Sequence, residues 1–277
     1  MALDLSPYAL VTVARLKTHL GRSSVGETDV TDRCTAAINA ATAWLERRTG
    51  RALKARNYRT AFDVRCDANS SSTAFTAGTG GLIKVGDDML DTIQGYIPIG
   101  CQVVSYNSLL DTFVSSIATT GALAQSAVTF GSVPLVCNGT GESVLDAPEW
   151  PLQNVWAAYS VDYAGTRTAL SISSMRLHKA SGTIELPHSA FPEGERNIEL
   201  ECRAGYEQPA TTVQGDWQDW TALEALALRV AEVFFSDGLN QRGRQTDISM
   251  GGLSASVGSY EMPADIMNDS RKFVRTR

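Results

Sequence analysis

The chain of 277 residues lacks every common signature of catalysis. It has no G-x-G-x-x-G, no G-x-x-x-x-G-K-[ST], no H-E-x-x-H and no G-x-S-x-G. Its three histidines, His19, His178 and His188, are far apart in sequence, and a surface or turn histidine is the plainer reading of each. The five cysteines, Cys34, Cys66, Cys101, Cys137 and Cys202, are odd in number and never spaced C-x-x-C. That argues against a disulfide framework and against zinc, and leaves them as small buried hydrophobes. No apolar run is long enough to cross a bilayer, and MALDLSPYALV has no basic residue ahead of its apolar segment, so neither a transmembrane helix nor a signal peptide is expected. These absences point away from an enzyme, and no cofactor or metal is expected.

Positive charge is scarce overall and unevenly spread. Net charge is −6, yet residues 1–60 hold ten basic and five acidic side chains, while residues 61–145 hold two and seven. A general nucleic-acid binder would be basic on balance, and this chain is not. Asp87, Asp88 and Asp91 form an acidic group that reads most simply as a solvated turn beside a strand.

The best-defined element is Thr28 to Gly50. Val30, Cys34, Ala37, Ile38, Ala41, Trp44 and Leu45 recur in steps of three and four, which places them on one helical face. Thr28 or Asp29 suits the N-cap, Arg47 and Arg48 suit the negative end of the dipole, and Gly50 supplies the stop. Five alanines between Ala36 and Ala43 flatten the face for close approach of another backbone. A shorter helix is expected over Leu10 to Leu20, forming a helical hairpin with the first through the link GRSSVGE.

Strand-like alternation begins beyond Gly50. ANSSSTAFTAGTGG reads as a linker, followed by the short strands LIKV, YIPIGCQVVSY, TFVSSIAT and SAVTFGSVPLV. From Asp146, NVWAAYSVDY, ALSISSMRLHK, GTIELP and NIELECRAGY continue the β-pattern. In the last of these, Ile198, Leu200 and Cys202 alternate with Glu199, Glu201 and Arg203. A helix should follow Asp216, with Trp217 and Trp220 as core anchors and a stripe through Leu223, Leu226, Ala227, Val230, Val233 and Phe234, ending near Asp237–Gly238. Polar, Gly-rich sequence comes next, then a short helix after Pro263.

The expected fold is α+β: a helical hairpin and a C-terminal helix packed with a β-region, plus an inserted all-β module. The expected division is residues 1–66, the inserted module 67–145, residues 146–237, and a tail 238–277.

In order and spacing, four segments resemble the head–tail connector (adaptor) proteins of long-tailed bacteriophages. They are VTVARLKTHLG with AWLERRTGRAL, then ERNIELECRAGYEQP, TALEALALRVAEVFF and EMPADIMNDSRKFVRTR. The resemblance covers residues 8–60 and 146–277. It implies a structural virion protein at the head–tail junction, assembled in the host bacterial cytoplasm. It also implies a ring of about twelve copies, contacts with the portal protein and a downstream neck or tail protein, DNA passing through without specific binding, and no membrane. On this reading Ala37, Ala41, Trp44, Arg47, Arg48 and Arg51 are expected at the contact between copies. Met262, Ile266, Arg271, Lys272, Phe273, Arg275 and Arg277 are expected to dock on the portal, from a tail that is mobile until bound. The alternative is a carbohydrate- or surface-binding β-module of adhesin type, suggested by the Ser/Thr-rich insert, with an enzyme as the third class.

Overall fold

The computed structural model describes residues 5–22, 28–78, 82–90, 95–98, 100–208, 217–244 and 262–274. The Gly-rich stretch 245–261, Asp91, Arg275 and Arg277 lie outside the described residues, as does most of the loop expected before the third helix. The fold is mixed α+β. The chain forms two compact units, Met1–Lys54 with Glu207–Arg277, and Ala55–Tyr206.

In the first unit, helix α1 spans Val13–His19 and α2 spans Thr28–Thr49. α1 starts later than the Leu10 expected from periodicity, because the Thr12 hydroxyl accepts from the Arg15 amide and caps the helix there. Ala9, Leu10 and Val11 are buried ahead of it in non-helical chain. That segment is strapped to α2 by side chains: Asn39 accepts from the Ser6 amide at 3.0 Å and Thr42 from the Leu10 amide at 3.3 Å. α2 buries Val30, Cys34, Ala37, Ile38, Ala41 and Leu45, the face its periodicity marks, and Gly50 ends it at φ +71°.

Among the described residues the second unit is built of strands and turns, with one short 3-10 helix over Ile172–Ser174. In order its strands are β1 (Arg56–Tyr58), β2 (Phe62–Ala68), β3 (Ala74–Ala77), β4 (Met89–Leu90), β5 (Val103–Asn107), β6 (Thr112–Ser115), β7 (Leu123–Phe130) and β8 (Leu135–Gly139). Then come β9 (Val144–Asp146), β10 (Leu152–Val161), β11 (Arg167–Ala169), β12 (Arg176–His178), β13 (Thr183–Glu185) and β14 (Gly194–Ala204). Back in the first unit, α3 runs Trp217–Arg244 and α4 Ala264–Ser270.

One strand sits where the sequence suggests a linker, and one expected strand does not form. β3 lies inside the Ser/Thr/Gly stretch expected to be a linker; Phe75 and Ala77 point inward while Ala74 and Thr76 face out. LIKV forms no strand. α3 also differs. It passes through Gly238 to Arg244, although each interior glycine costs a helix about 1 kcal/mol relative to alanine. Its buried stripe is Trp220, Leu223, Leu226, Ala227, Val230, Ala231 and Phe235, so Val233 and Phe234 are only half-buried at its later turns.

The six strands β4-β7-β2-β3-β6-β5 form one antiparallel sheet. It curls into a half-barrel: Asp88 bridges to Gln102, and the Met89 amide donates to the Cys101 carbonyl at 2.9 Å, which brings the start of β5 to β4. Phe113 fills the centre, stacked on Phe75 at 4.7 Å and edge-on to Phe130 at 5.4 Å. A flatter sheet has the order β1-β14-β10-β11, with β8 also on β14, and a three-stranded sheet has the order β12-β13-β9. β14 shows the alternation legible in its sequence: Ile198, Leu200 and Cys202 are buried, and Glu199, Glu201 and Arg203 face outward half-buried. All five cysteines are free and buried. Burial pushes the thiols of Cys66 and Cys137 up to about 12, so they stay protonated and act as apolar filler.

Asp87 corrects the solvated-turn expectation. It is fully buried, and its carboxylate accepts from Asn57 Nδ2 at 2.9 Å, Arg59 Nη1 at 3.0 Å and the Lys84 amide at 2.9 Å. Asn57 lies on β1, and its own Oδ1 accepts from Arg203 Nη1 on β14 at 2.8 Å. The carboxylate therefore pins the loop ahead of β4 to the edge of the flatter sheet. Gly86 beside it sits at φ +87°, and a Cβ there would run into the Arg203 guanidinium. Burial, opposed by these hydrogen bonds, raises the Asp87 pKa above its ordinary value.

Candidate functional site

The residues expected to make contacts fall on α2 and on the C-terminal segment, both in the helical unit. Ala37 and Ala41 are 4% and 1% exposed. The flat face they build is spent inside the subunit, where α2 packs against α3. Small side chains serve close helix approach equally well within a chain. Trp44 is half-buried, and Arg47 and Arg48 are exposed.

Arg51 is buried at 4% exposure, and its Nε donates to the Phe273 carbonyl at 3.1 Å. That bond joins the end of α2 to the far end of the chain. The C-terminal segment lies on the helices: Met262, Ile266 and Phe273 are all buried, α4 contacts both α2 and α3, and a 3-10 turn over Arg271–Phe273 follows. The apolar stripe expected to fill a groove on the portal thus fills one on its own subunit. The physical reason is local. α2 and α3 leave an apolar seam, and an arginine on α3 reaches the acidic side of α4. Arg229 Nη1 donates to Asp269 Oδ2 at 2.7 Å, and its Nη2 pairs with Asp265. The Arg229 hydrogen bond, with help from Lys272, holds the Asp269 carboxyl below its ordinary pKa.

What remains outward is a basic rim. Arg47 and Arg48 lie within about a turn of Arg51, and Arg271 and Lys272 immediately precede Phe273; all four are exposed. Two groups read separately from the sequence therefore meet at one place, through Arg51 and Phe273. Sequence reasoning missed the positioning residue Arg229. Its only signal is two carboxylates four apart on a short amphipathic helix, with a partner that tertiary structure alone supplies.

His19 pairs with Glu232 at 3.0 Å and His178 with Glu185 at 3.3 Å, contacts of ordinary surface histidines. Among the described residues no group of three or more His, Cys, Asp or Glu could hold a metal ion. No described helix is long and apolar enough to cross a membrane.

The class this architecture defines is a helical unit with a basic rim and a β-unit with a half-barrel. No protein-family model matches the chain, and no curated protein does either. Among solved structures, it is similar over its whole length, and over 95% of the other chain, to proteins of gene transfer agent particles. These are a chain of the virion of a native gene transfer agent particle (15% identity, TM-score 0.45), one of the neck of an empty particle computed with C6 symmetry (15%, 0.41), and one of the neck of a native particle computed with C12 symmetry (16%, 0.37). Likeness at that level fixes neither a shared assembly nor a shared partner.

Proposed function

We propose that the chain is a structural subunit of the neck of a tailed, phage-like particle: a head–tail connector whose copies form a ring between portal and tail. One observation carries the reading. The end of α2 and the C-terminal segment converge at Arg51 and Phe273, which presents Arg47, Arg48, Arg271 and Lys272 as one exposed basic rim. A ring needs heterologous contacts that close by rotation. An exposed arginine cluster suits pairing with carboxylates of a neighbouring copy or of a portal ring. Trp44, half-buried beside the arginines, supplies apolar area for the same contact. The net negative charge of residues 61–145 suits a channel wall that does not hold DNA, since Lys and Arg contacts are what retain phosphate.

The test is co-assembly. Purified chain is mixed with portal rings from the same particle and followed by native mass measurement and negative-stain imaging. Rings are expected alone or on the portal. Arg47→Glu with Arg48→Glu should abolish them while circular dichroism stays unchanged. A wild-type chain that remains monomeric with and without portal would overturn the proposal.

A further inference from the structure

Hairpin turns are normally polar, because glycine, asparagine, aspartate and serine suit their backbone. The turn between β5 and β6 departs from this, with Leu109 and Leu110 at its tip, 93% and 67% exposed. Among the described residues they are the one adjacent pair of exposed large hydrophobic side chains. We infer that this tip is an apolar plug by which one copy of the chain seats on the next. Its receptor is the exposed apolar surface around the loop ahead of β4. The inference rests on the ring reading above and names a contact for it within the β-unit.

The tip is fixed in advance. Asn107 Oδ1 accepts from the Leu109 amide at 3.0 Å, and the Asp111 carbonyl accepts from the Ala77 amide at 2.7 Å. The Asp111 carboxylate accepts from the Tyr106 hydroxyl at 2.9 Å. Asp111 itself sits at φ 48°, a left-handed conformation that few residues other than glycine adopt. A turn held this way loses little freedom on contact, so its leucines present apolar area at small entropic cost.

Charge and geometry select the partner. From Val103 to Ser115 the hairpin has no lysine, arginine or histidine, and its one carboxylate is the bonded Asp111. It brings no cation to a phosphate, so an apolar protein surface fits it better than a lipid headgroup or a nucleic acid. The chain offers such a surface itself. Leu82 and Val85 lie in the loop ahead of β4 and Val133 follows β7, and all three are exposed. Arg59 gathers these segments: its Nη1 donates to the Leu82 carbonyl at 2.7 Å, and its carbonyl accepts from the Ser132 amide at 3.0 Å. The tip does not reach Val85 in its own copy. The Gly86 amide donates to the Val103 carbonyl at the start of β5, whereas Leu109 lies past the end of that strand, about 15 Å away. Unlike patches at opposite ends of one strand are what a head-to-tail contact needs, and such contacts close into rings when the rotation allows.

The test separates this contact from the ring reading. Leu109→Asp with Leu110→Asp removes the plug, and Val85→Asp with Val133→Asp removes the receptor. Purified chains, alone and with portal rings, are followed by native mass measurement and negative-stain imaging. Each double variant should lower the fraction of chain in rings by about tenfold or more. Circular dichroism and melting temperature should stay at wild-type values, since all four side chains are exposed. Mixed in equal amounts, the two double variants should form pairs and stop there, because each keeps the face that the other has lost. Ile172→Asp, at an exposed apolar site on another turn, should assemble as the wild type does. Normal rings from either double variant overturn this contact and leave the ring reading standing. A wild type that stays monomeric with and without portal overturns both. Plug-variant rings that close normally but no longer join the portal assign the tip to the portal and overturn the proposal. Failure of the two variants to pair on mixing overturns it too.

Discussion

Each unit is closed by an arginine–carboxylate joint, and the two joints work on different physics. In the β-unit Arg59 meets Asp87 with side chains 8% and 0% exposed. In the helical unit Arg229 meets Asp265 and Asp269 in the open, with all three side chains at least a third exposed. A buried pair is held by low dielectric and by the hydrogen bonds at Arg59 Nη1, so losing one partner strands the other. An exposed pair is screened by water and salt and holds its segment only lightly. The first kind fixes a fold. The second can let a segment go.

Breaking the buried joint should give the largest effect. Asp87→Ala leaves the Arg59 guanidinium without its carboxylate and the Lys84 amide without its acceptor, and should cost about 3–5 kcal/mol. Chemical denaturation followed at the β-unit should show it. Asp87→Asn, which keeps an acceptor, should cost less. If Asp87→Ala unfolds at the wild-type midpoint, the buried joint is not what holds the β4 loop.

Second in size is the packing between helices that separates the helical unit from the strand unit. Ala41→Leu adds volume where α2 meets α3 and should destabilise by about 1–3 kcal/mol. The same change at exposed Ala36 should be nearly silent. Thermal melts of the two variants check this. Equal melting temperatures would mean that the alanine face is not closely packed within the subunit.

These two sites also show what the sequence makes legible. The alanine face of α2 and the Ile198–Leu200–Cys202 alternation of β14 are periodic, and periodicity follows from local geometry alone. What periodicity cannot say is which surface covers a face, so the alanines read equally well as a contact between copies. Asp87 was illegible for a related reason. Its partners Asn57 and Arg59 are near each other but remote from it, and only the curl of the sheet brings them together. β3 was hidden by chemistry: its outward residues are small and polar, so a strand that buries only Phe75 and Ala77 has the composition of a linker. In the basic rim the residue types were legible, and their meeting through Arg51 and Phe273 was not.

The third effect is smaller and probes the exposed joint. Arg229→Met should leave the global melt almost unchanged, yet increase hydrogen exchange through residues 264–274. Added salt should do the same to the wild type in lesser degree, because screening weakens exposed pairs. Exchange that is identical in variant and wild type would show that apolar burial of Met262, Ile266 and Phe273 holds the segment by itself.

The smallest effect sharpens the comparison by pH, because the two carboxyls are shifted in opposite directions. Asp87 is raised by burial, so its contribution to stability is greatest below the ordinary carboxyl value of 3.8 and falls as pH rises through its folded value. Asp269 is lowered by Arg229, so its contribution is present above 3.8 and is lost as pH falls through its folded value. Acidification should therefore loosen the C-terminal segment before the β-unit yields. Arg229 is raised further by its carboxylate partners and stays charged throughout that range, which leaves Asp269 as the shifted group at the joint. Methyl NMR of Ile266 and Met267 should report the loosening as exchange broadening that begins below pH 3.8, while methyl signals of Val64 and Val128 in the half-barrel stay sharp. Arg229→Met should show the loosened spectrum already at neutral pH and no further step on acidification. A wild-type segment whose methyl signals hold until the β-unit unfolds would mean that the exposed joint has no part in seating the C-terminus, and that the seam between α2 and α3 alone does so.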